Sequence, residues 1–170
     1  MTVDVSYRPI RPGDDLSLDD SFTTDTVFEV HQDPHGFTLH EVPVDPPLTK
    51  VFPPDEGDDL PEDGFVAEHD GIKGFVSVEL DTWNRRLVIR QLTVAPTHRG
   101  RGIGTRLVEL ALAEGRRRAA RTAWLETSSV NVPAVRAYQR MGFTLCGLDT
   151  TLYTGTPAEG ETALFFAKPL

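Results

Sequence analysis

A short segment near the middle of the chain combines glycine and arginine in a pattern that suits an anionic ligand. It follows an apolar run ending at Val94 and reads Arg99-Gly100-Arg101-Gly102-Ile103-Gly104-Thr105. Glycines let backbone N–H groups approach a ligand because no Cβ intervenes. A helix that begins here would direct its unpaired amides and positive dipole end at the same point, and arginine matches the geometry of phosphate oxygens. The segment predicts a pyrophosphate cradle; a glycine-rich turn with solubilising arginines is the alternative.

The same segment differs from two better-known phosphate-binding motifs. No Gly-Lys-Ser/Thr sequence follows it, so it is not a P-loop. Its glycine spacing is not that of a dinucleotide fingerprint, and no acidic residue stands at the expected distance of about 20 residues. A different class of phosphate-containing ligand is therefore predicted.

A second segment, residues 131–143, has the spacing of a short helix with a tyrosine on one face. Ala134, Tyr138 and Met141 share that face because they recur at three- and four-residue steps. Asn131 stands near the start of the helix and Gly142 just past its end. Taken alone, a tyrosine in this place is more typical of a packed core than of a catalytic group.

Strands and helices must alternate to position these two segments. Alternating apolar residues predict a hairpin over 65–80 and a strand over 86–94, and helical spacing begins at Gly104. One or two short helices are expected between Asp15 and Glu29. The remaining predicted elements are a strand over 123–126, a helix over 133–141 and closing strands over 143–146 and 163–167. The fold class is therefore α/β (α+β), a sheet covered by helices.

Charge is distributed unevenly along the 170 residues, whose net charge is −9. Residues 1–85 carry 20 acidic and 5 basic side chains, and residues 86–170 carry 6 acidic and 12 basic ones. This asymmetry predicts one cationic and one anionic ligand and argues against unspecific nucleic-acid binding. Six of the carboxylates fall within residues 53–64, which are interpreted as an acidic, mobile loop.

Other patterns exclude several classes of protein. No apolar run is long enough to span a membrane, the start does not have the pattern of a signal peptide, and one cysteine excludes a disulfide scaffold. A cytoplasmic protein is expected, with Cys146 in its core. His31 and His35 have the spacing of a metal pair, but Pro34 and Gly36 disfavour a helix there, so no metal is predicted.

Together, in this order and spacing, the two segments resemble the GNAT superfamily of N-acetyltransferases. The family's loop pattern, Arg/Gln-x-x-Gly-x-Gly/Ala, falls on Arg99, Gly102 and Gly104. Its later pattern falls on Asn131, Ala134, Tyr138, Gly142 and Phe143. The resemblance implies the GNAT fold, a mixed and mostly antiparallel twisted sheet flanked by about four helices. It also implies one domain over residues 1–170.

A closer resemblance covers almost the whole chain. Residues 21–28, 41–52, 83–86 and 141–150 are similar to the streptothricin (nourseothricin) acetyltransferases, which inactivate the antibiotic by acetylating an amine of its β-lysine side chain. This implies acetyl-CoA as cosubstrate and a small cationic, streptothricin-like acceptor. The residues that the resemblance assigns to acetyl-CoA are Leu92, Thr93, Val94, Arg99, Gly100, Arg101, Gly102, Ile103, Gly104, Thr105, Asn131, Ala134 and Tyr138.

The resemblance implies direct attack of the amine on the thioester in a ternary complex, with Tyr138 as the general acid that protonates the thiolate. A lysine-like amine has a pKa of about 10.4, so its deprotonation at pH 7 costs about 4.6 kcal/mol and calls for a base. Many relatives place a carboxylate on the strand before the loop, where this chain has Arg90 and Gln91. Glu126 is the first substitute; a carboxylate that caps the next turn is the alternative.

Four further residues are candidates for binding the acceptor besides Glu126. Asp25 and Asp149 would bind ammonium groups, and Trp83 and Tyr153 would wall a polyamine pocket by cation–π contact. Core or rim packing is the alternative for the two aromatic residues. A polyamine or a protein N-terminus as acceptor, and a non-catalytic acetyl-CoA-binding module, remain competing interpretations. The sequence leaves the oligomeric state open, a homodimer included.

Overall fold

The computed structural model describes residues 4–52 and 61–170. A one-turn 3-10 helix, Pro96–His98, precedes the first of two α-helices within these ranges. No helix in the described ranges is long and apolar enough to cross a membrane. The elements in chain order are β1 (Ser6–Pro9), β2 (Phe22–Asp33), β3 (Gly36–Lys50), β4 (Gly64–Glu68), β5 (Ile72–Asp81), β6 (Arg86–Val94), α1 (Ile103–Arg117), β7 (Thr122–Ser128), α2 (Val132–Arg140), β8 (Thr144–Asp149) and β9 (Ala163–Pro169).

Two compact units share these elements. The first consists of Met1–Ser21, Phe52–Trp124 and Pro169–Leu170, and the second of Phe22–Val51 and Leu125–Lys168. The single domain expected from the sequence stays a prediction, as does the mobile acidic loop. Of that loop, residues 53–60 lie outside the described residues. At its other end Asp63 forms an ion pair with Arg118, and Gly64 already belongs to β4.

The first unit is an antiparallel sheet with strand order β1-β4-β5-β6, with α1 packed on it. The apolar spacing of α1 explains this packing, because Leu107 and Ala111 point to the same side and are fully buried. Gly74 on β5 makes room for the helix. A Cβ there would lie 3.0 Å from the Thr93 carbonyl oxygen and 3.3 Å from the side chains of Ile103 and Leu107.

The second unit contains strands in the order β7-β9-β8, helix α2 and a long hairpin of β2 and β3. The hairpin turns at Pro34 and Gly36, where the Asp33 carboxylate accepts a 2.7 Å hydrogen bond from the His35 amide. The hairpin lies against α2, and the Phe28 amide donates to the Ser129 carbonyl at 2.9 Å. Arg136 on α2 also pairs with Glu41 on β3.

The predicted α/β class is confirmed, and so are the hairpin over 65–80, the strand over 86–94 and both helices of the second half. The short helices expected between Asp15 and Glu29 are wrong. Residues 15–21 form neither a helix nor a strand. Strand β2 begins at Phe22, because Thr23, Thr24, Thr26 and Val27 are β-branched residues that favour strands. The described residues therefore contain two α-helices rather than about four.

The expectation that Cys146 lies in the core is also wrong, because its side chain is exposed. The register of β8 against β9 pairs Leu145 with Phe166 and Gly147 with Phe165, which leaves Cys146 as an extra, bulged residue. A β-bulge breaks the alternation of side chains between the two faces of a strand. The apolar neighbours of Cys146 in the sequence therefore do not predict its burial.

Candidate active site

The glycine–arginine loop, residues 99–105, connects β6 to the first turn of α1 in the first unit. Strand β6 approaches it through a β-bulge, because Ser77 pairs with Gln91 and Val78 with Ile89, which leaves Arg90 unpaired. Bulges bend and twist a strand and are frequent beside functional sites. Leu92, Thr93 and Val94 follow the bulge and pair with β5.

The backbone of the loop has the form that its glycines predict. Gly100 has φ +72° and Gly102 φ +81°, which are left-handed conformations that disfavour side chains. Gly102 is the N-cap residue of α1, and no side chain caps this helix end. No acidic residue occupies the first turn either. The amides of Ile103, Gly104 and Thr105 therefore have no intrahelical partner and suit an anion.

The two arginines of the loop have different surroundings. The guanidinium of Arg99 donates to three backbone carbonyls: Val94 at 2.8 Å, Ser21 at 2.5 Å and Asp19 at 3.1 Å. It fastens the loop to residues 19–21 of the same unit. Arg101 is exposed and has no ion-pair partner in the described part of the chain. Arg101 is therefore the better candidate for a phosphate oxygen, and Arg99 for holding the loop in place.

Positive charge near the loop extends beyond the residues that the sequence singled out. The pKa of His98 lies below its ordinary value because of burial first, and then because of the charges of Arg101, Lys73 and His69. Lys73 reaches this place through β-sheet pairing, since its carbonyl accepts a 2.8 Å hydrogen bond from the Ala95 amide. Only the pairing of β5 with β6 brings Lys73 here, so no local sequence pattern could have shown it.

The strand before the loop has no carboxylate at the position where many GNAT enzymes have one. Arg90 extends to Glu79 on β5, with its Nε atom 2.7 Å from the carboxylate. Gln91 lies beside buried Thr93, at 3.4 Å between Nε2 and Oγ1. Neither Arg90 nor Gln91 can serve as a base. A proton acceptor must come from elsewhere.

The structure separates Trp83 from the glycine–arginine loop. Trp83 lies in the turn before β6, whereas the loop follows β6, so the nine-residue strand separates them. Nine residues of strand span roughly 30 Å. The side chain is 86% exposed. Its assignment to the acceptor pocket stays a prediction that no contact of the first unit supports.

In the second unit, Tyr138 is a buried residue of α2. Its ring meets Phe143 edge to face, with the ring centroids 6.0 Å apart. Burial raises the pKa of Tyr138 to about 12. The hydroxyl therefore keeps its proton at neutral pH, as a general acid must. The packed ring agrees with the core interpretation, and the general-acid role of the hydroxyl stays a prediction.

Asn131 and Ala134, both assigned to acetyl-CoA, meet at the start of α2. The Oδ1 atom of Asn131 accepts a hydrogen bond from the Ala134 amide at 3.2 Å. This is an N-cap, and it satisfies one of the amides that a helix start leaves unpaired. Asn131 therefore holds the helix that carries Tyr138.

The second unit also brings Glu126 and Tyr153 together. The phenol of Tyr153 donates a hydrogen bond to Oε1 of Glu126. A carboxylate that the sequence did not single out, Glu161, lies in the same cluster and accepts from Ser128 and Lys50. Lys50 is 111 residues before Glu161. Such a pairing leaves no local pattern in a sequence.

Asp149 and Asp25, the two predicted ammonium ligands, have different surroundings. The Oδ1 atom of Asp149 accepts from both the amide and the hydroxyl of Thr151, each at 2.7 Å. These bonds hold the pKa of Asp149 below its ordinary value. Asp25 is exposed on β2, where the register shifts between Thr24 and Thr26. Their binding roles stay predictions.

His31 and His35 do not form a metal pair on a helix. His31 lies on β2 beside Glu29, and His35 lies in the hairpin turn. Within the ranges that the structure describes, no group of three or more histidine, cysteine or acidic side chains could hold a metal ion.

Comparisons with known proteins agree with this fold. A family model described as the acetyltransferase (GNAT) family matches residues 24–143. Streptothricin acetyltransferase of Streptomyces lavendulae is 50% identical, over 96% of this chain and 94% of the relative. Streptothricin acetyltransferase of Escherichia coli is 32% identical, over 95% of this chain and 93% of that relative. A crystal structure of nourseothricin acetyltransferase has a TM-score of 0.90 and 54% identity, covering 97% of this chain and 98% of that one.

The chain belongs to the GNAT family of acetyltransferases. It is thus an acetyl-CoA-dependent N-acetyltransferase, as the resemblance implied.

Proposed function

We propose that this enzyme acetylates streptothricin-class antibiotics at an amine of their β-lysine side chain and so inactivates them. The observation that carries the proposal is the 50% identity to a streptothricin acetyltransferase across 96% of the chain. The excess of acidic side chains in residues 1–85 supports a cationic acceptor. The enzyme acts in the cytoplasm, where acetyl-CoA is supplied.

The glycine–arginine loop binds the pyrophosphate of acetyl-CoA. The free amides of the first turn of α1 and the open space around Gly100 and Gly102 fit such a group, since a Cβ at either glycine would meet nothing within 4 Å. Arg101 adds a charge that matches phosphate oxygens. Leu92, Thr93 and Val94 would hold the pantetheine arm beside β6. Bound acetyl-CoA supplies an activated thioester carbonyl.

Tyr138 and Glu126 move the protons of the reaction. Glu126 accepts a proton from the ammonium group, and the free amine forms a bond from its nitrogen to the acetyl carbon. The carbon–sulfur bond then breaks, and the Tyr138 hydroxyl donates its proton to the leaving thiolate. The acylated nitrogen loses its second proton, which returns to the Tyr138 oxygen and leaves a neutral amide. The raised pKa of Tyr138 keeps that proton available at neutral pH.

An assay with purified protein, acetyl-CoA and streptothricin tests the proposal. Thiol release and product mass are measured together, and spermidine and a short peptide replace the antibiotic in parallel reactions. We expect fast thiol release with streptothricin and a gain of one acetyl group on its β-lysine portion. Turnover only with spermidine or the peptide would contradict the antibiotic as acceptor. Binding of acetyl-CoA without turnover on any amine would contradict the catalytic role itself.

A further inference from the structure

The second unit contains a carboxylate without a basic partner among the residues that the structure describes. Glu126 lies on β7, and the Tyr153 phenol, 27 residues further along the chain, donates a hydrogen bond to its Oε1 atom. No lysine, arginine or histidine of the described chain forms an ion pair with Glu126. Glu126 is exposed, so water hydrates its charge and a cationic ligand can reach the carboxylate.

The neighbouring carboxylate, Glu161, is compensated. Lys50 forms an ion pair with its Oε1 atom, and the Ser128 hydroxyl donates to its Oε2 atom. Glu161 and Lys50 have side chains only 15% and 16% exposed. Two carboxylates are therefore close to Tyr153, and one ammonium group neutralises only one of them. An ammonium group of a ligand can therefore approach the exposed Glu126 carboxylate.

Tyr153 is held in place by the connection between β8 and β9. The Tyr153 carbonyl accepts from the Thr156 amide at 3.0 Å and from the Thr156 hydroxyl at 2.7 Å. The Gly155 amide donates to the Glu159 carboxylate at 2.8 Å. At the start of the connection, Asp149 binds Thr151. These turns hold the backbone on both sides of Tyr153, from which its phenol reaches Glu126.

We propose that Tyr153 is a positioning residue, whose hydroxyl fixes the Glu126 carboxylate so that Oε2 receives the ammonium group and proton of the acceptor. The inference rests on the proposed function, in which Glu126 accepts that proton. Its role differs from the cation–π wall that the sequence suggested for Tyr153.

The protonation of Tyr153 suits this role. Its pKa is raised far above the ordinary value by burial, then by the hydrogen bond to Glu126 and by the charges of Glu126 and Glu161. The phenol therefore remains a donor throughout the range in which the enzyme works. It cannot itself take the proton of the amine.

A double-mutant cycle tests the inference. Tyr153→Phe removes only the donor, and hydrogen bonds to charged groups correspond to a loss of about 10- to 100-fold in kcat/KM for the antibiotic. We expect the KM for acetyl-CoA to stay unchanged and the acid limb of the kcat/KM profile to move to higher pH. In the Glu126→Gln background, Tyr153→Phe should have almost no further effect, because Tyr153 acts through Glu126.

Each outcome of the cycle has a definite meaning. Additive losses from the two substitutions would overturn the positioning role, and so would a Tyr153→Phe enzyme with the rate and pH profile of the unmodified protein. A fully active Glu126→Gln enzyme would remove both Glu126 and Tyr153 from the mechanism but leave antibiotic acetylation standing. Absence of acetylation by the unmodified protein would instead contradict the proposed function.

Tyr7→Phe is the matched control, because Tyr7 lies on β1 and is not among the described partners of Glu126, whose hydrogen bond comes from Tyr153. It removes the same hydroxyl group and should leave kcat/KM unchanged. The melting temperatures of both variants are measured alongside. Tyr153→Phe could lower the melting temperature while leaving the pH profile of kcat/KM unshifted and the losses in the double-mutant cycle additive. That result would show that the hydrogen bond from Tyr153 to Glu126 is purely structural.

Discussion

Tyr138 combines a packed ring with a hydroxyl that the reaction needs, and the two properties can be separated by substitution. Tyr138→Phe keeps the ring against Phe143 and removes only the proton donor. We expect kcat to fall by about 100-fold or more, the usual contribution of general acid catalysis, with acetyl-CoA affinity unchanged. Steady-state kinetics and calorimetric titration with acetyl-CoA measure the two quantities.

The pH dependence of kcat in the unmodified enzyme gives a second test of the general-acid role of Tyr138. Its pKa is about 12, so the donor is lost only as the pH rises through that value. We therefore expect no decline of kcat at pH 10, where an ordinary tyrosine would be half ionised. An unchanged rate in the phenylalanine variant, or a basic limb near pH 10, would contradict the general-acid role.

Arg99 and Arg101 should respond differently to truncation, although both belong to the glycine–arginine loop. Arg101→Ala removes an exposed charge, so we expect the KM for acetyl-CoA to rise roughly 10-fold with no loss of stability. Arg99→Ala also breaks three hydrogen bonds to carbonyls, and should lower the free energy of unfolding by about 1–3 kcal/mol as well. Steady-state kinetics and urea denaturation of the two variants measure these effects. A change confined to the KM for the antibiotic would contradict the binding of the acetyl-CoA pyrophosphate by this loop.

Residue types and spacing locate this loop and Tyr138, but they do not show which atoms each side chain meets. Two of the three carbonyls that Arg99 binds belong to Ser21 and Asp19, 78 and 80 residues earlier in the chain. The cluster around Glu126 likewise depends on Glu161 and Lys50. Hydrogen bonds between distant residues follow from the register of strands, which a single sequence does not reveal.

The start of α1 gives a prediction about backbone conformation. Gly102→Ala places a side chain at φ +81°, where the space is open, so the cost comes from the backbone alone. We expect a loss of about 1–2 kcal/mol in the free energy of unfolding, and a higher KM for acetyl-CoA because the amides of the first turn move.

Gly13→Ala provides the control for Gly102→Ala. Gly13 has φ +88° and open space around its Cβ position, but it lies outside the glycine–arginine loop. We expect Gly13→Ala to lower the free energy of unfolding by about as much as Gly102→Ala does, as measured by urea denaturation, and to leave the KM for acetyl-CoA unchanged. Equal KM values in the two variants would show that the loop does not bind the cosubstrate.

Periodicity predicted the elements of the second half of the chain better than those of the first. Helices α1 and α2 carry apolar residues at three- and four-residue steps, and both are present within a residue or two of their expected bounds. Strand β2 was not predicted, since short helices were expected over part of it. Many residues of the hairpin of β2 and β3 are exposed, so neither face shows a continuous apolar pattern. The β-branched residues from Thr23 to Val27 were the signal for a strand there.

At the scale of the whole molecule, the ion pairs of Glu114 predict how stability depends on pH. Hydrogen bonds from Arg117 and then Arg118 lower the pKa of Glu114 from 4.5 to about 2, and its side chain is 15% exposed. A carboxyl whose folded pKa is depressed stabilises the protein above its unfolded pKa, and this contribution is lost as the pH falls from about 5 towards 2.

Glu114→Gln should therefore cost about 1–3 kcal/mol of unfolding free energy at pH 7 and progressively less at lower pH. Urea denaturation at several pH values measures the difference. Glu109→Gln is the control: its pair with Arg106 is more than half exposed, so the effect should stay below about 1 kcal/mol at every pH. A constant difference between pH 7 and pH 4 would contradict the role of the Glu114 charge.

The exposed position of Trp83 makes the protein a convenient optical system. The chain has two tryptophans; Trp83 lies in water, whereas Trp124 lies on β7 with the Arg86 guanidinium 5.4 Å from its ring centre. A Trp83→Phe substitution in the turn removes the water-exposed tryptophan and leaves Trp124, on β7, as the one tryptophan of the sequence. Its emission wavelength then follows the unfolding of that strand without an added dye.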